Sequence, residues 1–222
     1  MKKTLSIVLT ALAVISFFAF EGCKEDSTAP KITIIGSKDT TIARNSVYID
    51  PGATAEDDKD ASVYVISDFN EDNPDEGVPA IYTILYKAQD RNANLATDTR
   101  LVSVTFVGNA VAYTYSVTDT FPGVDTLAYS ANVISNILNP YQVYISNLFN
   151  ANAFSGSAYA NLKGNTVTIP SQRPDGPFSQ YIVSGSGIIM EVQQNIIWDL
   201  FYTIQDTANA AATQNRHAVF LY

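Results

Sequence analysis

Short runs in which apolar and polar residues alternate recur through residues 31–106. The clearest run begins at Tyr82, and every second side chain from Tyr82 to Ala88 falls on one face of a strand. Because successive side chains of a strand point to opposite faces, this face is predicted to pack against a second sheet. Turn residues separate the runs, a rhythm typical of a β-sandwich. The predicted strands are residues 32–34, 63–66, 82–86 and 101–106.

The same alternation continues to residue 221 in eight further runs. Residues 111–117 and 127–133 alternate most regularly, and the spacing of the runs indicates an antiparallel meander. Eight up-and-down strands can close into a barrel, which leaves no sheet edge exposed. The remaining predicted strands are residues 141–145, 157–161, 165–169, 181–192, 196–204 and 217–221.

These patterns predict an all-β chain with two modules. The first is an N-terminal β-sandwich in residues 31–107, and the second is a C-terminal antiparallel, eight-stranded, barrel-like (lipocalin-like) domain in residues 108–222. A second sandwich is the alternative for the C-terminal module.

The N-terminal residues differ from both modules. Lys2 and Lys3 precede a run of 16 mostly apolar residues, 5–20, which is shorter than the roughly 20 residues that a membrane-spanning helix needs. The pattern is that of a secretory signal peptide, predicted to occupy residues 1–22.

Cys23, the only cysteine, follows Gly22 at the end of this peptide. The junction resembles a lipobox, which implies lipid attachment at Cys23 and a tether over residues 23–30; two or more acyl chains would anchor the protein stably. Lys24-Glu25-Asp26 resembles the export signal of Bacteroidota surface lipoproteins, which implies the external face of the outer membrane. A free buried thiol is the alternative.

Three sequence words in residues 29–107 are similar to those of one domain family. They are Ala29-Pro30-Lys31-Ile32-Thr33-Ile34, Tyr48-Ile49-Asp50-Pro51-Gly52-Ala53-Thr54-Ala55 and Tyr82-Thr83-Ile84-Leu85-Tyr86-Lys87-Ala88-Gln89-Asp90. In these words the segment resembles the immunoglobulin-like domain that recurs in bacterial surface proteins. The resemblance implies a seven-strand β-sandwich that serves as a spacer or an adhesion module. It implies no catalytic residues.

The second module also carries words with a resemblance. Val167-Thr168-Ile169-Pro170-Ser171-Gln172, Gly185-Ser186-Gly187 and Trp198-Asp199-Leu200-Phe201-Tyr202-Thr203-Ile204 resemble the small β-domains that follow immunoglobulin-like modules in Bacteroidota lipoproteins. Such proteins often accompany outer-membrane importers in glycan-utilisation systems, where non-enzymatic members catch polysaccharide. The resemblance implies polysaccharide and an importer complex as partners. It rests on the order of the two domains, an immunoglobulin-like module followed by a small β-domain.

Composition narrows the choice of ligand. The 222-residue chain has a formal net charge of −9, so it lacks the basic surface that binds nucleic acid. One Cys and one His are too few for a Cys/His zinc cluster or an intramolecular disulfide. Residues 108–222 hold 9 charged residues against 16 aromatic residues and 19 Asn and Gln, and a surface of this kind suits a neutral ligand.

Recognition of a sugar needs an aromatic ring for its C–H face and planar amide or carboxylate groups for its hydroxyls. Trp198 is the first candidate for this aromatic ring because it is the only Trp in the chain. The alternative is that it fills the core, as large aromatic side chains usually do. Three tyrosines lie near Asn or Gln in the sequence, and the alternative for them is packing on an edge strand. Loop 172–176 joins an amide, a guanidinium and a carboxylate, which suits a binding group, and the alternative for it is a plain turn. The candidate ligand-binding residues are Trp198, Tyr202, Tyr141, Tyr144, Tyr181, Gln172 and Arg173.

Acidic residues are concentrated in the first module. Asp57, Asp58 and Asp60, with Asp90 nearby in the fold, are candidate ligands for Ca²⁺, which is bound by carboxylate oxygens in many extracellular modules. The spacing does not match a calcium loop. A solvated acidic loop that keeps the protein soluble is the alternative.

Catalytic motifs are weak throughout. Glycoside hydrolysis needs two carboxylates about 5 to 9.5 Å apart, and Glu191 and Asp199 on adjacent predicted strands are the pair to consider. His217 falls in an alternating strand, and Gly185-Ser186-Gly187 lacks the helix that a nucleotide loop requires. We therefore expect no enzyme and no required cofactor.

The sequence thus favours a surface lipoprotein that binds glycan without catalysis. Two rivals stay open. One is a structural or adhesion protein, which exposed hydrophobic edge strands would favour. The other is a calycin-like carrier whose barrel interior takes an apolar ligand, which an unfilled interior would favour.

Overall fold

The computed structural model describes residues 25–70, 73–123, 125–148, 157–174, 180–209 and 213–222. The predicted lipid-attachment residue, Cys23, lies outside these residues. Among the described residues, no helix has the length and apolar character needed to cross a membrane.

The chain divides into two compact units. Among the described residues, one comprises 25–33 together with Ala53–Ile66 and Tyr86–Asp98, and the other comprises Ile34–Gly52, Ser67–Leu85 and the described part of Thr99–Tyr222.

Six strands form the immunoglobulin-like part. Strands β1 and β3 pair in a two-stranded sheet, and the other four form a sheet in the order β2-β6-β5-β4, in which β2 runs parallel to β6. The resemblance implied seven strands, and the described residues show six because the pairing of Ala55 with Val63 is a single bridge. The strands are β1 (Lys31–Ile34), β2 (Asp39–Ala43), β3 (Ala53–Glu56), β4 (Val65–Ser67), β5 (Ala80–Gln89) and β6 (Leu95–Thr105).

The inward face of β5 agrees with the predicted alternation. Ile84, Tyr86 and Ala88 are buried, while Lys87 and Gln89 between and after them are exposed. The predicted alternation is therefore confirmed in the burial of Ile84, Tyr86 and Ala88.

The eight C-terminal strands close into an antiparallel barrel, as predicted. They follow one another round the barrel in chain order, and the last pairs with the first, because β14 is hydrogen-bonded to β7. The second-sandwich alternative is thereby excluded. The strands are β7 (Thr114–Phe121), β8 (Asp125–Ser135), β9 (Gln142–Ser146), β10 (Ser157–Lys163), β11 (Thr166–Gln172), β12 (Tyr181–Val192), β13 (Asn195–Asp206) and β14 (Gln214–Leu221).

Aromatic side chains fill the barrel interior. Trp198, Tyr115 and Phe220 are fully buried, and their ring centroids lie about 6 Å apart. Trp198 Nε1 donates a hydrogen bond to the Tyr115 hydroxyl at 3.2 Å, and that hydroxyl donates to the Val111 carbonyl at 2.8 Å. Both polar atoms of the cluster are thus satisfied inside an apolar core.

Two glycines on β12 allow this strand to lie close to β13. Gly187 pairs with Leu200 on β13, and Gly185 pairs with Tyr202. A Cβ atom at Gly187 would lie 2.1 Å from the Asp199 carbonyl oxygen, closer than any real contact. The strands can approach each other here only because both positions lack a side chain.

This close approach predicts a sharp difference between neighbouring substitutions. We expect Gly187→Ala to lower the free energy of unfolding by about 3 kcal/mol or more, because the methyl group must push β12 away from β13. We expect Ser186→Ala, at the exposed position beside it, to change the stability by less than about 0.5 kcal/mol. Urea denaturation of both variants measures the difference, and equal midpoints would contradict the packing described.

Candidate functional site

The outer wall of the barrel carries two tyrosines opposite each other on neighbouring strands. Tyr144 on β9 pairs with Tyr159 on β10, and Ile134 on β8 pairs with Tyr144 from the other side. The Cβ atoms of such pairs lie about 5 Å apart, so the three side chains form one row. Ile134 is 55% exposed and both tyrosines are half-buried.

A second row, made of three amides, runs beside the first. Asn136 Nδ2 donates to Gln142 Oε1 at 2.7 Å, and Gln142 Nε2 donates to Asn161 Oδ1 at 2.9 Å. Asn136 Nδ2 also lies 3.3 Å from the Tyr144 hydroxyl, which links the two rows. We call these six residues the tyrosine face: Ile134, Tyr144, Tyr159, Asn136, Gln142 and Asn161.

The stretch of chain that builds the tyrosine face is free of charge. Residues 126–162 contain no Asp, Glu, Lys, Arg or His. The next charged residue along the chain, Lys163, is paired with Asp39, with Nζ 2.9 Å from Oδ2. Residues 126–162 therefore offer rings, amides and hydroxyls, but no charged side chains.

Gln172 supports the tyrosine face from β11. Its Oε1 accepts a hydrogen bond from the Tyr159 backbone N–H at 3.0 Å, and its Nε2 donates to the Tyr159 carbonyl at 2.7 Å. The pairing of β11 with β12 shifts register between Ile169 and Gln172. The amide predicted to bind a ligand is thus engaged with backbone, and its role is to position Tyr159. Arg173 is exposed and directs Nη1 toward Thr207 Oγ1, 3.5 Å away.

Tyr141 and Tyr181 lie outside the row of opposed tyrosines. Tyr141 precedes β9, and its carbonyl accepts a hydrogen bond from the Leu162 N–H at 2.8 Å. Tyr181 begins β12 and packs against the barrel core. Of the tyrosines that the sequence predicted as ligand contacts, only Tyr144 belongs to the tyrosine face.

Trp198 and Tyr202 need a correction. Both point into the barrel and are at most 2% exposed, because they alternate with the outward residues Asp199 and Phe201 along β13. A buried ring offers no face to a sugar at the surface. Their positions agree with the alternative interpretation, in which these residues are part of the core.

Tyr202 belongs to a polar cluster inside the barrel. Its hydroxyl donates to Asp119 Oδ2 at 2.8 Å, and Arg216 Nη1 lies 2.7 Å from the same oxygen. The Tyr129 hydroxyl donates to the Leu148 carbonyl. Asp119 is fully buried, and its Oδ1 has no hydrogen-bond partner among the described residues. Removing Arg216 would leave the buried charge of Asp119 without its ion-pair partner. The contacts of the cluster connect β7 to β13 and β14.

A second exposed aromatic group lies on β13 and β14. Phe201 is 59% exposed and stacks on His217 with ring centroids 4.3 Å apart, and His217 Nε2 lies 2.5 Å from Asp199 Oδ1. Strand β13, which carries Phe201, is four strands from β9 in either direction round the barrel. Unlike the tyrosine face, this group includes a carboxylate and an imidazole.

The carboxylates considered for hydrolysis do not face each other. In the pairing of β12 with β13, Asp199 lies opposite Ile188 and Glu191 lies opposite Ile196. Glu191 is paired with Arg44, and Asp199 contacts His217. The register thus places the two carboxylates opposite isoleucines and not opposite each other.

The acidic residues predicted as calcium ligands are only partly brought together. Asp57 and Asp58 are grouped with Asp26, and their nearest carboxylate oxygens lie within 4.8 Å of one another. Asp60 instead accepts a hydrogen bond from the Arg91 backbone N–H at 2.8 Å. Asp90 is also outside the group, because it caps a turn by accepting hydrogen bonds from the backbone N–H and the side chain of Asn94, both at 2.7 Å.

A cleft of about 420 Å³ lies next to the tyrosine face. Asn136 belongs to both. Ile137, beside it in the turn between β8 and β9, is 93% exposed. The cleft is lined by Val107, Asn109, Ser135, Asn136, Ile137 and Pro140.

Sequence reasoning missed most members of the tyrosine face. Tyr159, Gln142 and Asn161 fall on predicted strands, and the alternation places Tyr159 and Asn161 on one face, whereas Asn136 lies between the predicted strands 127–133 and 141–145. The missing information was register, which decides that Tyr159 lies opposite Tyr144.

The buried phenols predict a distinctive alkaline titration. Burial raises the pKa of Tyr115, Tyr129 and Tyr202, and the charge of Asp119 raises the pKa of Tyr129 and Tyr202 further. The unfolded chain ionises these groups near pH 10 and the folded chain does not, so their contribution to stability is complete below pH 10 and is lost above it.

We expect the tyrosinate absorbance at 295 nm to reach its final value only as circular dichroism reports unfolding. Tyr202→Phe, measured beside the parent protein, should remove one late-titrating phenol. Ionisation of every tyrosine near pH 10 in a folded barrel would contradict the buried cluster.

One comparison with known proteins, a family model, matches the N-terminal part of this architecture. Residues 32–104 match the family model described as the Ig-like domain of bacterial surface proteins. The chain is also similar to a crystal structure of a lipoprotein from Bacteroides thetaiotaomicron, with 17% identity, a TM-score of 0.33, and coverage of 86% of this chain and 99% of the other. No curated protein matches the sequence. Residues 32–104 are thus an Ig-like domain of the bacterial surface-protein type.

Proposed function

We propose that this protein binds glycan at the tyrosine face and acts without catalysis. The observation that carries the proposal is the pair of opposed tyrosines, Tyr144 and Tyr159, beside a ladder of three amides in the uncharged stretch 126–162. Aromatic rings cover the C–H face of a sugar, and amides both donate to and accept from its hydroxyls.

The rigidity of the face supports binding. Gln172 holds the Tyr159 backbone with two hydrogen bonds, and Asn136 contacts the Tyr144 hydroxyl. Side chains that are already ordered lose little entropy when a ligand arrives. The neighbouring strands of a closed barrel keep the two rings in register without help from a flexible loop.

The interior of the barrel supports a surface site over a carrier. An apolar carrier needs an empty core, and here Trp198, Tyr115 and Phe220 occupy it. The dispersed carboxylates support binding over hydrolysis, since Glu191 and Asp199 are each engaged elsewhere.

The N-terminal sequence supports a position at the cell surface. An Ig-like domain of the bacterial surface-protein type follows a predicted signal peptide and the lipid-attachment candidate Cys23. In our proposal the domain is a spacer between an outer-membrane anchor and the barrel, and an importer complex is a partner.

Protein contact is the second candidate function. Strand β4 lies at the edge of its sheet, and Tyr64, Ile66 and Leu95 beside a groove of about 590 Å³ are 85%, 67% and 56% exposed. Exposed apolar residues at a sheet edge favour adhesion between proteins.

Affinity electrophoresis tests the glycan proposal. The chain without residues 1–23 should be retarded by at least one polysaccharide in a broad panel. Tyr144→Ala and Tyr159→Ala should each weaken retardation about tenfold or more, which corresponds to at least about 1.4 kcal/mol of binding free energy, while the melting temperature falls by only a few degrees.

The matched control is Phe201→Ala, which removes another exposed aromatic ring from the same barrel. It should leave retardation unchanged. Loss of binding in Phe201→Ala alone would move the site to β13, and absence of retardation by every polysaccharide would favour the protein-contact function.

The proposed location has its own test. Cys23→Ala should abolish lipid attachment and shift the protein from the membrane fraction to the soluble fraction, because no acyl chain remains to anchor it. Metabolic labelling with a fatty acid, followed by fractionation, measures both effects. A Cys23→Ala variant that still sediments with membranes would contradict the anchor.

A further inference from the structure

The cleft beside the tyrosine face is structurally joined to it through Asn136. The Asn136 side chain donates to Gln142 and to the Tyr144 hydroxyl within the face, while the same residue lines the cleft. A molecule lying across the two tyrosines would therefore meet the cleft at the end of the amide ladder. Its volume of about 420 Å³ lies within the range of small-molecule sites.

The turn that forms one wall of the cleft is held in place. The Asn136 backbone N–H donates to the Gln142 carbonyl at 3.0 Å, and Asn136 Oδ1 accepts from the Leu138 N–H at 2.9 Å. Asn139 Oδ1 accepts from the Tyr141 N–H at 3.0 Å. These bonds fix a turn whose tip presents Ile137 to solvent at 93% exposure. An apolar side chain held out in this way is suited to contact a ligand.

The cleft and the face share one chemical character. The cleft is lined by apolar side chains, a serine and two asparagines, and residues 126–162 supply no charge. An acidic glycan would give up hydration of its carboxylates or sulfates here, and the nearest cation along β10, Lys163, is already paired with Asp39. A neutral glycan loses less hydration and finds amides to replace it.

Resting on the proposed function, we infer that the ligand is a neutral polysaccharide whose chain runs from the two tyrosines past Asn136 into the cleft. The face and the cleft are then consecutive subsites for successive sugar units. Uronic-acid and sulfated polymers are rejected, and affinity depends on ligands longer than one or two sugars.

The first arm of the test compares charge classes by affinity electrophoresis of the chain without residues 1–23. The neutral probes are soluble starch, xyloglucan, galactomannan and arabinoxylan, and the acidic probes are polygalacturonate, alginate and heparin. We expect retardation by at least one neutral polymer that persists in 0.5 M salt, and none by the acidic polymers, because counterion-dependent binding requires cationic side chains.

The second arm compares two substitutions at the tip of one turn. Ile137→Ser alters the wall of the cleft, whereas Leu138→Ser alters a neighbour that is 90% exposed and does not line it. Calorimetry uses oligosaccharides of two to seven units from the retained polymer. We expect Ile137→Ser to weaken binding of the longest oligosaccharides three- to tenfold, and Leu138→Ser to have no effect.

The outcomes separate this inference from the proposed function. Binding of an acidic polymer that Tyr144→Ala abolishes would overturn the neutral class and leave glycan binding intact. Equal effects of Ile137→Ser and Leu138→Ser, or a disaccharide that binds as tightly as the longest oligosaccharide, would overturn the second subsite. No retardation by any probe would contradict the proposed function as well.

Discussion

Eight strands that close on themselves enclose an interior that side chains must fill, and this requirement shapes the C-terminal half of the protein. Trp198, Tyr115 and Phe220 supply the volume, and their polar atoms are hydrogen-bonded within the cluster or to backbone. Strand β12 carries glycine at 185 and 187, where any side chain would collide with β13, so these two strands of the barrel can lie close together. The barrel is thus a packed core, and the volume that a carrier protein keeps for its ligand is occupied.

Because the interior is filled, the proposed binding site lies on the outer wall of the barrel. Outward residues of antiparallel neighbours form rows across the strands, and in β8, β9 and β10 these rows are unusually uniform: one carries Ile134 and two tyrosines, and the next carries three linked amides. The hydrogen bonds that close the amide row also position its members. The same regular pairing that stabilises the sheet therefore prepares a flat, neutral surface of rings and amides.

Much of this architecture follows from the alternation of apolar and polar residues. The eight strands of the barrel were predicted because their period of two is regular, and the inward positions of Ile84, Tyr86 and Ala88 follow from the same rule. The site was predicted less well. Tyr144 was found from its polar neighbours, whereas Tyr159 depends on the register of β9 with β10, which the sequence pattern does not specify.

Trp198 shows the opposite error, since its rarity suggested a binding role and its inward position on β13 makes it core. Gln172 was likewise predicted to contact a ligand, and its amide is instead bonded to the Tyr159 backbone, next to the register shift in β11. Asp26 joined Asp57 and Asp58 from the predicted tether, a contact between distant parts of the chain that no local pattern reveals.

The central claim is that the barrel binds with its outer wall because its interior is full. Nuclear magnetic resonance of protein with ¹³C-labelled tyrosine rings, assigned by single Tyr→Phe variants and titrated with a neutral oligosaccharide, tests it most directly. The account predicts that the Tyr144 and Tyr159 ring signals shift while those of buried Tyr115 and Tyr202 do not. Shifts confined to Tyr115 and Tyr202 would place the ligand inside the barrel and contradict the account.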